Sequence, residues 1–404
     1  MQNMTGLLGI AIILASCYLM SENRRRINWR LVGIGLLLQA VLAFLILKVP
    51  AVRAGFDLLG NGIQGLLDSA KEGAAFVFGD ELVKGRFVFA IVIGSSIIFM
   101  GALTSLAYHL GILQRVVRVF GFLFRKSMGV SGVESLSTGA EIFLGQVESQ
   151  MLISRYVDKL SRSELLGVMA AAMATVSGSA LVAYVSLGIN PTFLLMASFM
   201  TAPAALLVAK MLVPETDAEA LAREVVLDDE RKSVNCIDAI ADGAKDGLGV
   251  ALNVMTQLIA FIAVVYLANK LLGAALGVFG LECGIQDIIG TAFVPVAWLI
   301  GIPADEVMQV APLLGTKTVL NEFIAYMDLS KMLQGEAALS ARTQIITTVA
   351  LCGFANLGSI GINIGGLSQM APKRKSDIAK MGFKALMAAT LAGWLSAAIA
   401  GLMI

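Results

Sequence analysis

Charge is scarce in this chain, histidine all but absent, and cysteine rare and scattered. Only 15% of the 404 residues are Asp, Glu, Lys or Arg, against roughly 25% in soluble globular domains, which excludes an ordinary water-facing surface. Basic and acidic residues nearly cancel, leaving a net charge of +1, so the balance points to no nucleic acid. The one histidine, His109, stands in an apolar stretch and is expected as a packed or interfacial side chain. Cys17, Cys236, Cys283 and Cys352 lie far apart with no CxxC among them. Neither a zinc site nor a histidine-activated nucleophile follows from such a set, which argues against an intramembrane enzyme. No cofactor is expected.

What is present is apolar length. Hydrophobic residues make up 57% of the chain and its mean hydropathy is +0.82, the composition of an all-α polytopic membrane protein. Eight transmembrane helices are expected, at about 4–20, 31–47, 87–113, 165–187, 191–212, 248–272, 345–370 and 385–403. Positive charge follows the first segment (Arg24, Arg25, Arg26, Arg30) instead of preceding it. It is therefore a retained helix, not a cleaved signal, with the N-terminus outside. The same rule places Arg115, Arg118, Arg125 and Lys126 inside, then Arg155, Lys159 and Arg162, then Lys373, Arg374 and Lys375, with the C-terminus outside. The stretch "QRVVRVFGFLFRKS" interleaves its charges with Val, Phe and Leu, as a helix flat on the cytoplasmic face would. Residues 50–86 are expected as short amphipathic external structure, 214–246 as a charged cytoplasmic loop, and 285–302 as a second surface helix, external.

Two polar stretches break the pattern. "IFLGQVESQML" (142–152) lies between flanks that both belong in the cytoplasm, so the segment from Ser131 to about Ser154 dips into the bilayer and returns as a re-entrant hairpin. "LLGTKTVLNEFIAYMDLSKM" carries Lys317, Asn321 and Glu322 at its centre and is the second hairpin. Each is followed by a helix interrupted by small polar residues, at "ATVSGSALVAY" and "GFANLGSIGINIGG". After N-terminal scaffold helices (1–86), the order of elements in 87–213 recurs in 247–404, with the hairpins opening to opposite sides. Inverted repeats with discontinuous helices are the architecture of secondary transporters, with substrate and ion between the copies. A passive channel uses re-entrant loops too, but paired broken helices favour alternating access.

An ionised carboxylate at bilayer depth costs roughly 2.5–3.5 kcal/mol on insertion scales. Glu148 and Glu322 occupy equivalent places in the two hairpins, and a shared wet cavity would offset that cost. Carboxylates accept from hydroxyls in charge-assisted bonds, and Gln146 and Asn356 both donate and accept. With Thr175, Ser177 and Ser359 they suit a neutral, polyhydroxylated solute, and Phe354 adds an apolar wall. Carbonyls near Leu144 and Val176 are placed to coordinate a dehydrated cation.

At these residues the chain resembles the concentrative nucleoside transporter family over nearly its whole length, through "SENRRRINWR", "GVESLS", "GQVES", "ATVSGS", "VPETDAEA", "GTKTVLNEFIAY" and "LCGFANLGSIGI". The resemblance implies a homotrimer in a bacterial inner membrane, a scaffold and a mobile transport domain, elevator-like movement, and cation-coupled nucleoside uptake. It implies that Gln146 and Glu148 face the nucleobase with Gly145, Val147 and Ala180 alongside. Glu322, Asn356 and Ser359 would take the ribose hydroxyls, with Phe354 beside the nucleoside. The cation site would draw on Glu141, Leu144, Thr175 and Val176.

The chain departs from the family pattern in three places. Val147 removes a hydroxyl from the base-reading tip, and Ser149-Gln150 replaces the customary Ala-Pro. Glu141 stands where Asn is common, and either strengthens sodium binding or holds a proton. A carrier for a modified nucleoside or a free nucleobase is the alternative that Val147 raises.

Overall fold

The computed structural model describes residues 2–85, 88–222, 225, 233–277, 284–335 and 339–404, and among them it is helical with no strand. The α-helices run in chain order as α1 (Gln2–Leu19), α2 (Trp29–Lys48), α3 (Pro50–Phe78), α4 (Phe89–His109), α5 (Ile112–Met128), α6 (Gly132–Glu141) and α7 (Gln146–Met151). Next come α8 (Arg162–Ala174), α9 (Gly178–Ser186), α10 (Pro191–Leu212), α11 (Ala218–Ala222) and α12 (Cys236–Gly277). The chain closes with α13 (Ile285–Leu299), α14 (Val307–Val319), α15 (Glu322–Gln334), α16 (Ala341–Leu351), α17 (Leu357–Met370) and α18 (Lys375–Leu402). Cys283, Phe87 and much of the charged loop before α12 lie outside the described residues.

Helix starts are written locally. Ser131 with Glu134, and Ser161 with Glu164, form capping boxes that open α6 and α8. Asn190 followed by Pro191 opens α10. Ser177, Asn321 and Asn356 cap α9, α15 and α17 by accepting a backbone N–H three residues on. Caps in the middle of apolar runs divide the second hairpin and both broken helices, while the first hairpin turns at the uncapped Gly145.

Among the described residues, six helical stretches are long and apolar enough to cross a bilayer: α2, α4, α8 continued into α9, α10, α12 and α18. Shorter apolar helices occur in α1 and α13. The expected span 345–370 is two helices, because the chain turns at Gly353, whose φ of +98° belongs to glycine. A Cβ there would overlap the carbonyl oxygen of Ala174 at the end of α8. The two broken helices thus meet break to break, and the N–H of Phe354 donates to Thr175 O (3.3 Å).

Two expectations are corrected. Residues 50–78 form not short pieces but one 29-residue helix. Gly60, Leu67, Ala70 and Ala74 share its buried face at helical spacing, while Gly55, Gly62, Gly65 and Gly73 sit where nothing packs. Helix α12 begins at Cys236, well before the apolar run at 248, because "DGAKDGLG" presents small residues to α4. Gly243 lies against Gly101, and Gly247 against Ile97 and Ile98, so tightly that a Cβ at either would strike backbone. A hydropathy window weighs the charges of that stretch and overlooks its small face.

Element order recurs: α4, α5, the hairpin α6–α7, the broken helix α8–α9 and α10 are matched by α12, α13, the hairpin α14–α15, the broken helix α16–α17 and α18. Helices α8, α10, α16 and α18 are buried over most of their length and form the centre on which both hairpins rest.

Candidate functional site

The first hairpin is anchored at its base. The Lys210 ammonium at the end of α10 pairs with Glu134 (2.5 Å) and Glu215 (3.4 Å), and donates to Ser163 Oγ (2.8 Å). Ser163 in turn donates to Val213 O (2.6 Å), and Ser161 Oγ to Glu215 (2.7 Å). Glu134 and Lys210 are both buried, so each charge depends on the other. Glycine at 167 is required for this approach, since a Cβ would overlap a Glu134 carboxylate oxygen.

At the tips, a chain of hydrogen bonds crosses both halves of the molecule. Glu322, first residue of α15, accepts from Tyr184 Oη in α9 (3.0 Å) and from Asn356 Nδ2 (2.9 Å). Asn356 Oδ1 accepts from the N–H of Ser359 (2.9 Å), and Ser359 Oγ accepts from Gln146 Nε2 of the first hairpin (3.2 Å). Each hairpin is therefore bonded to the broken helix of the other half. A carboxylate has about four lone-pair sites, so Glu322 keeps capacity for further donors, as a vicinal diol would supply.

The other sequence-predicted residues are placed as follows. Glu141 is buried and accepts from Ser149 Oγ within its own hairpin, not from Arg or Lys. Leu144, Thr175 and Val176 are buried, and Thr175 Oγ1 donates to Ala171 O (3.1 Å). Phe143 O accepts the N–H of Gly178 (3.2 Å), tying the hairpin tip to the first break. Ala180 and Phe354 are partly exposed, flanking the network without joining it. Glu148 is exposed, its carboxylate folded back beside Gly145 at the start of α7. Val147 turns its methyls onto Gly366 of α17.

Sequence reasoning missed Tyr184, the one phenol in "SGSALVAY", and the pairing of two departures: Ser149 supplies the hydroxyl that Glu141 receives. Gln150, which departs together with Ser149, donates to Asn363 Oδ1 (2.9 Å), whose amide reaches Met169 O (3.3 Å). Taken one at a time, none of these side chains carries a signal. Lys317 turns to the carbonyls of Ala350 (3.3 Å) and Cys352 (3.5 Å), not to Glu322.

Fold and site together define a multi-pass helical membrane protein with a polar centre built at helix breaks. Family models for the Na+ dependent nucleoside transporter N-terminus and C-terminus match residues 8–81 and 193–401, and one for nucleoside recognition matches 90–190. The chain is 44% identical to the uncharacterized transporter YutK of Bacillus subtilis, covering 99% of both. It is 36% identical to the putative nucleoside permease NupX of Escherichia coli, covering 100% of this chain and 99% of NupX. It is 37% identical to mouse solute carrier family 28 member 3, covering 100% of this chain and 59% of the mouse protein. The structure of CNTnw in an inward-facing substrate-bound state superposes with a TM-score of 0.94 at 39% identity, covering 100% and 98%. The chain belongs to the concentrative nucleoside transporter family; its relatives are transporters, not enzymes.

Proposed function

We propose that this protein is a cation-coupled secondary active transporter that imports nucleosides across a bacterial inner membrane, as a homotrimer with elevator-type alternating access. The observation that carries the reading is the hydrogen-bonded chain Gln146–Ser359–Asn356–Glu322–Tyr184, which joins both hairpins to both broken helices inside a membrane protein. In this reading Glu322, Asn356 and Ser359 receive ribose hydroxyls, and Gln146 and Glu148 face the base with Gly145, Val147 and Ala180 alongside. Phe354 forms the wall. Sodium dependence is the property named for the matching family models, and Glu141, Leu144, Thr175 and Val176 supply the donors for a cation. A proton at Glu141 is the second reading, favoured by the burial of its side chain with no Arg or Lys partner among the described residues.

Uptake of radiolabelled uridine and adenosine into proteoliposomes tests the site. Glu322→Gln and Asn356→Ala should each abolish accumulation against a gradient while the protein elutes as the wild type does. Wild-type accumulation by both would remove the assigned ribose site. Replacing Na+ by choline at fixed pH, then collapsing the pH gradient at fixed Na+, separates the ions, and uptake unchanged by the first step excludes obligatory sodium coupling. Competition by ribose-free bases distinguishes a nucleobase carrier.

A further inference from the structure

Lys317 is a fully buried ammonium in the second hairpin that the proposed substrate site does not use. It lies in the last turn of α14, five residues before Glu322 begins the second arm; Glu141 lies five residues before Gln146 in the first hairpin. The two residues are therefore counterparts in the recurring element order, and their charges are opposite.

Their settings correspond too. Lys317 faces the break of the helix that follows its hairpin, and the first hairpin meets its own break just beyond Glu141, where Phe143 O accepts from the N–H of Gly178 (3.2 Å). The last four carbonyls of a helix lack intrahelical partners and carry the negative end of its dipole. At the end of α16, Thr348 O accepts from Tyr326 Oη (2.8 Å) and Val349 O from the N–H of Cys352 (3.2 Å). Ala350 O and Cys352 O are left to the Lys317 ammonium, at 3.3 and 3.5 Å. Gly393 of α18 covers the group, at a distance where even a Cβ would make only ordinary contact with Nζ and both carbonyl oxygens (3.9 Å). An ammonium held by main-chain carbonyls at a helix break has the ligand set a monovalent cation would have there.

We infer that Lys317 is a tethered cation: it permanently fills the second repeat's counterpart of the coupling-cation site, so that only the first repeat, with its acidic Glu141, takes a mobile ion. The inference rests on the reading of the first break as the coupling site. It assigns the carrier one coupling cation per nucleoside. Lys317 is a positioning residue, holding the end of α16 so that Asn356, which caps α17, meets Glu322.

Chemical rescue reads the charge directly. Lys317→Ala removes what n-propylammonium restores in shape and charge, and what 1-propanol restores in shape alone. We expect uptake by the variant to fall about tenfold or more, and both uptake and melting temperature to recover with n-propylammonium but not with 1-propanol. No recovery with the amine, or equal recovery with the alcohol, overturns the inference. If the variant does not fold, charge-to-substrate flux ratios of the wild type decide: one cation per nucleoside is expected, and two would overturn it. The melting experiment needs no substrate, so failure of the nucleoside reading shows as absent wild-type uptake with amine rescue of melting intact.

Discussion

Compared arm for arm, the first hairpin keeps its ion pair at the base, and the second keeps its charges at the tip. Glu134 meets Lys210 where the first hairpin leaves the surface, whereas Glu306, at the corresponding place in the second, caps neutral Ser340 and Thr343. At the tips the order reverses. Glu141 is held by Ser149 of its own hairpin, while Lys317 and Glu322 are held by α16, α17 and α9. Lys317 faces the negative end of α16 and Glu322 the positive start of α17, so the second hairpin complements both dipoles of the helix it spans. The difference teaches that the second hairpin brings a positive charge to the break of the helix that follows it, while the first keeps a buried acid held within itself.

The contrast can be broken at the base first. Lys210→Met strands the Glu134 carboxylate in a buried site and should cost about 3–5 kcal/mol, seen as a large fall in the melting temperature of the purified protein. Glu306→Gln should cost far less, since its partners are neutral and nearer water. Where the two breaks touch, Gly353→Ala forces a positive φ on a residue with a Cβ, at about 1–3 kcal/mol of strain, before its clash with Ala174 is counted. Impaired folding or uptake, with normal behaviour of a Gly361→Ala control where nothing lies within 4 Å, would separate the break from general helix effects.

Smaller changes sharpen the tip. Tyr184→Phe removes one donor to Glu322 and leaves the ring; a hydrogen bond to a charged group contributes about 1.5–3 kcal/mol, so kcat/KM for nucleoside should fall roughly tenfold to a hundredfold. An unchanged value would detach α9 from the site. The smallest effect lies outside the membrane. Glu22 pairs with Arg162 (2.8 Å) and Lys384. Arg162 chiefly, against partial burial, holds the Glu22 carboxyl below the usual carboxylate range. A lowered folded-state value means stability that is present above the unfolded value and lost as pH falls through the folded one. Glu22→Gln should flatten melting temperature against pH in that acidic window, by no more than the ~0.2–1 kcal/mol of an exposed pair.

Much of this was legible in the sequence because lipid is an unforgiving solvent. Polar residues inside apolar runs and basic flanks on one side of the membrane disclosed both hairpins and both breaks, and Ser177, Asn321 and Asn356 among those residues cap helix starts. Residues 50–78 and 236–247 were illegible for the converse reason: their helical faces are made of glycine and alanine, whose packing depends on what stands opposite.

Local patterns determined the class, the helix breaks and the identity of the polar residues, since each of these follows from the cost of burying backbone and charge in an apolar medium. Which polar residue meets which was decided only by the tertiary fold. Tyr184 and Glu322, Gln146 and Ser359, Lys317 and the end of α16 are pairings set by how the hairpins cross the broken helices, and Ser149 meets Glu141 where the first hairpin folds back on itself. No periodicity encodes them, because a hydrogen bond between separate elements is selected by geometry that exists only once the helices have packed.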